Sequence, residues 1–330
     1  MDLKNKSILV TGADGFIGSH LVEKLLSLDC QVKAFVFYNS FNNLGWLESL
    51  SNDQLSRIKI FSGDIRDFNV VKKSMEGVDI VFHLAALIAI PYSYIAPESY
   101  IDTNIKGTLN VLQSAKENRC KKVMITSTSE VYGTAIYTPI DEKHPLIGQS
   151  PYSASKIAAD QLAQSYYYSF NTPIKIVRPF NTYGPRQSAR AIIPTVITQI
   201  LAGAEKINVG NLAPTRDLTF VKDTCKGFVE IFKSDKLVGE VTNIGMNVEI
   251  SIMALIELIV KIIGKDVEIK EESERIRPEK SEVERLWCNN SKIIEETNWT
   301  HDYTLETGLE ETITWMKENL HLYKTHLYNV

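Results

Sequence analysis

The sequence predicts an α/β protein built on a doubly wound parallel sheet, and three observations carry that expectation. The first half of the 330-residue chain alternates short β-branched runs with helical stretches. Its strand segments are apolar almost throughout, as strands covered on both faces are. A glycine triplet stands between the first strand and the first helix, where a doubly wound sheet opens its ligand crevice.

Taken in order, SILVTG reads as a strand and FIGSHLVEKLLSLD as a helix with apolar residues every three or four positions. QVKAFVF, IKIFSGD, VDIVFHLAA, KKVMITST and IKIVRPFN follow as strands, with helical patterns around 69–76, 98–118 and 152–170 between them. Beyond about 179 the pattern loosens: NTYGPRQSARAIIP is turn-rich and a helix follows. RDLTFVKDTCKGFVEIF and EVTNIG read as a return to the main sheet. The amphipathic ISIMALIELIVKIIG and the charged EESERIRPEKSEVERL then point to a smaller capping lobe. The expected organisation is a Rossmann-type doubly wound parallel sheet with a smaller, interleaved C-terminal substrate lobe. Residues 1–178 and about 216–246 form the dinucleotide-binding domain, and about 179–215 and 247–330 the second lobe.

Composition narrows the class. Apolar residues make up 44% and charged residues 23%, with a net charge of -4, so a nucleic-acid or anionic-membrane partner is not expected. The opening MDLKNKSILVTG lacks the apolar stretch and small-residue cleavage site of a signal peptide. ISIMALIELIVKIIG contains Glu257 and Lys261 and is too short to span a bilayer. Cys30, Cys120, Cys225 and Cys288 lie far apart, and no histidines stand at metal-ligand spacing. Neither disulfides nor a metal site is expected, and a cytoplasmic location fits best.

VTGADGFIGSHL places Gly12, Gly15 and Gly18 at a strand-to-helix junction. Such a turn lets the backbone approach a pyrophosphate, with free N–H groups at the helix N-terminus and its positive dipole end. The adenosine end is less regular. An acidic residue about 20 positions on marks NAD-selective sites, whereas AFVFYNSFNN offers no carboxylate and no arginine. Asn39, Ser40 and Asn42 are polar enough to receive a 2′-phosphate, so NADP is slightly favoured over NAD. Asp64, ending the third strand, either meets the adenine amino group or caps the helix beginning near Phe68.

SPYSASKIAAD sets Tyr152 and Lys156 four residues apart, on one helix face. A phenol is a poor base at neutral pH, and a nearby ammonium is expected to favour the phenolate. STSEVYG, at the end of a buried strand, adds Thr128, Ser129 and Glu130 about twenty residues upstream.

With these motifs in place, the chain resembles the extended short-chain dehydrogenase/reductase family over nearly its whole length. TGADGFIG, GDIRD, HLAA, STSEVYG, YSASK, RPFNTYGPRQ and RDLTFVKD carry the resemblance. It implies a tightly held NAD(P) contacted by Gly12, Gly15, Phe16, Ile17, Gly18, Asn39, Ser40, Asp64, Ile65, Leu84, Ala85, Ala86, Tyr152 and Lys156. It also implies a sugar-nucleotide substrate, and a homodimer, even a tetramer, through a four-helix bundle of the helices around 98–118 and 152–170. Within the family the stretch is similar to the GDP-mannose and dTDP-glucose 4,6-dehydratases. In that reading Thr128 helps Tyr152 polarise the C4 oxygen, and Glu130 removes the C5 proton made acidic by C4 oxidation. Ser129 stands where dTDP-glucose enzymes carry an aspartate, which leaves the acid step to Glu130 as well. The alternatives for Glu130 are a turn cap or an ion pair. UDP-glucuronate decarboxylases, 4-epimerases and a non-enzymatic nucleotide-binding protein on the same fold are the rival functions. Asn181, Arg216 and Arg277 occupy positions that resemble the family's diphosphate contacts, with Arg186 and Arg190 as further candidates, since a guanidinium fork binds two phosphate oxygens at once. FYNSFNN and GWLESL resemble dehydratases of nonulosonic (legionaminic-type) acid pathways, which implies a GDP- or UDP-linked N-acetylglucosamine, GDP first.

Overall fold

The computed structural model describes residues 3–325. In chain order the first part comprises β1 (Ser7–Thr11), α1 (Phe16–Ser27), β2 (Gln31–Phe37), α2 (Asn52–Ser56), β3 (Ile58–Gly63), α3 (Phe68–Ser74) and β4 (Ile80–His83). It continues through α4 (Ile90–Ile95), α5 (Pro97–Tyr100), α6 (Gly107–Glu117), β5 (Lys122–Thr126), α7 (Pro151–Phe170) and β6 (Ile174–Pro179). Then come β7 (Asn181–Tyr183), α8 (Ile192–Leu201), β8 (Lys206–Val209), β9 (Thr215–Arg216), β10 (Leu218–Phe220), α9 (Val221–Lys233) and β11 (Val241–Ile244). The chain closes with β12 (Ile250–Ser251), α10 (Ile252–Ile263), β13 (Glu268–Glu271), α11 (Ser291–Glu296) and α12 (Leu305–Glu318).

Seven parallel strands form one sheet in the order β11-β6-β5-β4-β1-β2-β3. Its pleat explains the continuous apolar runs. Ile8 and Val10 of β1 face one core with Ile80, Phe82, Met124 and Val177. Leu9 faces the other core with Val81, Val123, Ile125 and Ile176. Each strand therefore feeds two cores, one of which includes α1 and α9 residues and the other residues of α6 and α7. Burying each such side chain contributes about 1.5–3 kcal/mol, so a polar residue on either face is disfavoured.

Two expectations are corrected. The helical pattern over 98–118 is not one α-helix: α5 and α6 are separated by a π-helical turn over Ile101–Lys106. There Asn104 turns inward, accepting from Leu87 N at 2.9 Å and donating to Leu87 O and Ser155 Oγ, both at 2.9 Å. Of the two segments expected to rejoin the main sheet, only β11 does so, beside β6. RDLTF instead gives β9 and β10, and β10 pairs with β7 in a separate two-stranded sheet. Buried Asp217 holds it there by accepting the backbone N–H groups of Met246 (2.7 Å) and Cys288 (3.2 Å). No helix of the described residues is long and apolar enough to cross a membrane.

Candidate active site

At the carboxyl edge of the sheet, β1 and β4 are neighbours while the chain leaves them in opposite directions, the switch point where such sheets bind ligands. A cavity of about 940 Å³ opens there and runs under the second lobe.

Its floor is backbone. Gly12 has φ +67°, and a Cβ on it would stand 2.8 Å from Ala85 N; a Cβ on Gly18 would run into the Gly12 carbonyl oxygen. Gly15 is the N-cap of α1 and supplies no side-chain cap, so first-turn N–H groups are left for a ligand. Phe16 and Ile17 line the same wall, as do Leu84, Ala85 and Ala86 opposite. A buried hydrogen-bond chain fixes that opposite wall. Thr11 Oγ1 accepts from Leu84 N and Ala85 N, both at 3.1 Å, so its proton goes to His83 Nδ1 at 2.8 Å. His83 Nε2 then donates to Thr108 Oγ1 at 3.1 Å, and Thr108 donates to Asn104 O at 2.6 Å. Burial drives the His83 pKa down to about 3, which keeps the imidazole neutral, as the chain requires.

At the far end Phe37, Gly63, Asp64, Ile65 and Arg66 line the cavity. Asp64 does not cap α3; Asp67 does, accepting from Val70 N at 3.1 Å. Asp64 is instead gripped by Arg66, Nε to Oδ1 at 2.9 Å and Nη2 to Oδ2 at 2.6 Å, and this hydrogen bonding holds its carboxyl below the usual range. Asn39 and Ser40 do not line the cavity. The Asn39 amide braces its own loop, donating to Asn43 O at 2.8 Å and accepting from Phe41 N and Asn43 N at 3.1 Å, and Ser40 is exposed.

The strand tip beyond β5 and the first turns of α7 meet over the middle of the cavity. Thr128 caps a short turn over Ser129–Tyr132, its Oγ1 accepting from Glu130 N at 3.2 Å. Thr128, Ser129 and Glu130 all line the cavity, with Tyr152 and Lys156 beside them. Helix α7 is set by a reciprocal Ser150–Ser153 capping box with Pro151 in its first turn, which fixes Tyr152 one residue inside the helix. Tyr152 shares a hydrogen bond with Thr128. Burial pushes the Tyr152 phenol well above its ordinary value; the Thr128 bond opposes this and the Glu130 charge adds to it. The expected lowering by Lys156 is not found: only the Thr128 hydrogen bond lowers the phenol, and desolvation outweighs it. Lys156 Nζ donates to Thr126 O at 2.7 Å, and burial lowers its pKa to about 8.

Under the second lobe the cavity collects cations. Arg190, Arg216, Arg275 and Arg277 line it, together with Glu282. Glu282 Oε1 lies 3.3 Å from Arg216 Nη2 and 3.5 Å from Arg277 Nη1, holding both forks in place. Arg186 is not among these residues. At φ +68° it turns away and pairs with Glu23 at 2.8 Å and Ser19 Oγ at 3.2 Å on α1. Asn181 and Thr126 line the cavity with buried oxygens, Oδ1 and Oγ1, that have no protein partner. Unpartnered buried acceptors beside a backbone cradle and a cationic end fit a dinucleotide and a diphosphate-bearing substrate. Among the described residues no group of three or more His, Cys, Asp or Glu could hold a metal ion. Asp14, Phe37, Arg66, Gln187, Arg275 and Glu282 are lining residues the sequence reading did not select, although Glu282 stands in the SEVERL stretch beside Arg277.

The sequence pattern of the GDP-mannose 4,6 dehydratase family matches residues 9–312. The chain belongs to this family. It is 30% identical over 329 residues to the dTDP-D-glucose 4,6-dehydratase of Bos taurus, covering 97% of this chain and 91% of that protein. A UDP-glucuronate 4-epimerase of Thermodesulfobacterium geofontis is 31% identical, with 96% and 98% covered. Among solved structures, the double mutant of DesIV (dTDP-glucose 4,6-dehydratase) from Streptomyces venezuelae, with NAD and DAU bound, superposes with a TM-score of 0.88 at 28% identity. That likeness covers 96% of this chain and 98% of that one. As a family member this chain is an extended short-chain dehydrogenase/reductase of the nucleotide-sugar dehydratase and epimerase group, and the seven-stranded parallel sheet agrees.

Proposed function

We propose that this protein is a nucleotide-sugar 4,6-dehydratase, and Glu130 is the observation that carries the reading. Simple C4 oxidation needs Tyr152, Lys156 and a hydroxyl such as Thr128. A carboxylate on the same turn, lining the same cavity, adds an acid–base group with work of its own. A bound NAD(P) would supply the redox chemistry, accepting hydride from C4 and returning it at C6. Tyr152 takes the C4 hydroxyl proton, polarised by Thr128. The C5 proton, now α to a ketone, passes to Glu130, which then protonates the C6 hydroxyl so that it leaves as water. With reprotonation at C5 the product is a 4-keto-6-deoxy sugar nucleotide. Burial holds the Tyr152 phenol high, so positive charge beside it favours release of its proton.

Gly12, Gly15 and Gly18 would cradle the pyrophosphate, and Asn181, Arg216 and Arg277 the substrate diphosphate, Asn181 and Arg277 from the proposed lobe of about 179–215 and 247–330 and Arg216 from its edge. The proposed substrate is a GDP-linked N-acetylglucosamine, with UDP-linked next, on the resemblance carried by FYNSFNN and GWLESL. Asn39 and Ser40, the residues expected to favour NADP, face away from the cavity, so NAD serves equally. Homodimerisation through α6 and α7 is the proposed assembly, supported by exposed Leu109, Tyr168 and Phe170. A second reading, 4-epimerisation, draws on the similarity to the UDP-glucuronate 4-epimerase.

One experiment separates these readings: incubation with GDP-, UDP- and dTDP-sugars, followed by mass. Loss of one water supports the dehydratase. Loss of carbon dioxide would indicate a decarboxylase, and unchanged mass with inverted C4 an epimerase. In Glu130→Gln, C5 exchange with solvent deuterium should collapse while C4 oxidation survives; normal exchange would remove Glu130 as the base.

A further inference from the structure

Behind Tyr152 and Lys156 lies a second layer of charge that the proposed reaction does not use. Helix α7 carries Tyr152, Lys156 and Asp160 at four-residue intervals, on the face turned towards β5. Asp160 is fully buried. Its Oδ2 accepts from Ser127 Oγ at 2.8 Å and from Arg178 Nε at 3.1 Å and Nη2 at 3.0 Å, while Oδ1 has no partner. Arg178, at the end of β6 and also buried, donates from Nη1 to the Tyr132 hydroxyl at 3.0 Å. Tyr132 passes its own proton to Asn243 Oδ1 at 2.7 Å on β11. One carboxylate thus ties α7 to the tips of β5 and β6.

Its two connections bear on the reacting pair. Ser127 lies between Thr126, whose carbonyl receives Lys156 Nζ at 2.7 Å, and Thr128, which bonds to Tyr152. Fixing Ser127 therefore sets the height of the strand tip that both side chains touch. Charge is the second connection. Lys156 and Arg178 are two cations in one dry region, and a guanidinium does not give up its proton in a protein. If the carboxylate were absent, the cost of two uncompensated buried cations would fall on Lys156, which would neutralise.

We infer that Asp160 is a positioning residue for the Tyr152–Lys156 pair: its carboxylate keeps Lys156 protonated beside Arg178 and, through Ser127, holds the strand tip between Thr126 and Thr128. The inference rests on the reading of Tyr152 and Lys156 as the proton-handling pair. The groups facing Lys156 are consistent with it. His83 of β4, held neutral by burial, lies within reach of the Lys156 charge; Asp160 of α7 acts on both Lys156 and Tyr152; Glu130, on the turn after β5, acts on Tyr152; and Arg178 of β6 is tied to Asp160. Burial raises the Asp160 carboxyl, and Arg178, Ser127 and Lys156 all work against that. The Arg178 guanidinium, donating two hydrogen bonds to Asp160, favours its ionised form. Asp160 opposes the fall of the Lys156 pKa that burial causes.

The test follows Lys156 itself, in protein without sugar nucleotide. With ε-13C-lysine labelling and the Lys156 resonance assigned by its absence in Lys156→Met, the wild type should titrate near pH 8. Asp160→Asn, which keeps the shape and one acceptor, should lower the midpoint by about one pH unit or more, a tenfold loss of proton affinity. Ser127→Ala, which removes a hydrogen bond and no charge, should move it far less. An unchanged midpoint in folded Asp160→Asn overturns the proposal. Asp160→Ser, measured alongside, removes the same charge with a smaller polar side chain and carries the same test should Asp160→Asn fail to fold. Its midpoint must fall, and a rise or no change overturns the proposal. Because no substrate is present, a shifted titration with no water lost from any sugar nucleotide would refute the proposed reaction and leave this inference standing.

Discussion

Tyr152 shows how a residue placed beside its expected neighbour on one helix can differ from its expected electrostatics. The spacing of Tyr152 and Lys156 was plain from the sequence, because four residues make one face of a helix. The sign of the phenol's shift was not, because it depends on how dry the site is, and burial outweighs its neighbours. Removing the hydroxyl should be correspondingly costly: in Tyr152→Phe, reduction of bound cofactor by a turned-over sugar nucleotide should slow by a factor on the order of 10³, within the usual worth of a positioned proton acceptor. Absorbance at the reduced-nicotinamide band checks this, and a near-wild-type rate would take Tyr152 out of the mechanism. Thr128 and Glu130 were equally legible, being neighbours on one turn. The arginines were legible in part: Arg190, Arg216 and Arg277 line the cavity as expected and Arg186 does not. Arg186 and Arg190 are four residues apart in one turn-rich stretch, and only the backbone path, with φ +68° at Arg186, decides that the first joins Glu23 and the second the cavity.

At the scale of elements, strands and their order of appearance were readable because each must satisfy two cores, as Ile8, Leu9 and Val10 do. What breaks or redirects an element was hidden, since the π turn at Asn104 and the diversion of β10 both depend on buried polar contacts between distant segments. Helix α9 offers a test of such a contact. Its C-terminal carbonyls are met by Lys175 of β6, whose Nζ donates to Ile231 O at 2.6 Å, to Phe232 O at 3.3 Å and to Ser234 O. Burial lowers the Lys175 pKa to about 8, from an ordinary 10.5. Between those values the unfolded chain binds the proton more tightly than the folded one, so this residue's contribution makes stability rise with pH from 8 upwards. Chemical denaturation at pH 8 and pH 10 should show that rise in the wild type, and Lys175→Gln should flatten it. An identical pH dependence in the two proteins would mean that Lys175 is not perturbed.

Across the whole molecule the working parts come to the cavity from the early and the later parts of the chain. The glycine cradle, Glu130 and the Tyr152–Lys156 pair sit on the sheet's carboxyl edge, while Arg216, Arg275, Arg277 and Glu282 reach over from the later part of the chain. The segment bearing Arg277 and Glu282 is laced to residues of the early part of the chain. Tyr94 and Ser281 share a 2.6 Å hydrogen bond, Ser281 Oγ donates to Gln149 O at 2.7 Å, and Gln149 Nε2 returns to Lys280 O at 3.1 Å. Those lacings stand two residues before the start of the Tyr152 helix turn, so the anion-binding end and the proton-handling end are held in one frame. The division of labour predicts a separable defect. Arg216 is buried beside Glu282, and although burial lowers its pKa a guanidinium keeps its proton in a protein, so a diphosphate would be a natural partner for its charge. Arg216→Met keeps the stem's packing and removes the fork. It should weaken sugar-nucleotide binding by about 10²-fold, the worth of one bidentate charged contact of about 2–3 kcal/mol. Dinucleotide affinity should hardly change, because the glycine cradle is formed by the turn between β1 and α1. Calorimetric titration of the variant with each ligand measures both, and an equal loss for the two would mean that Arg216 serves the fold and not the substrate.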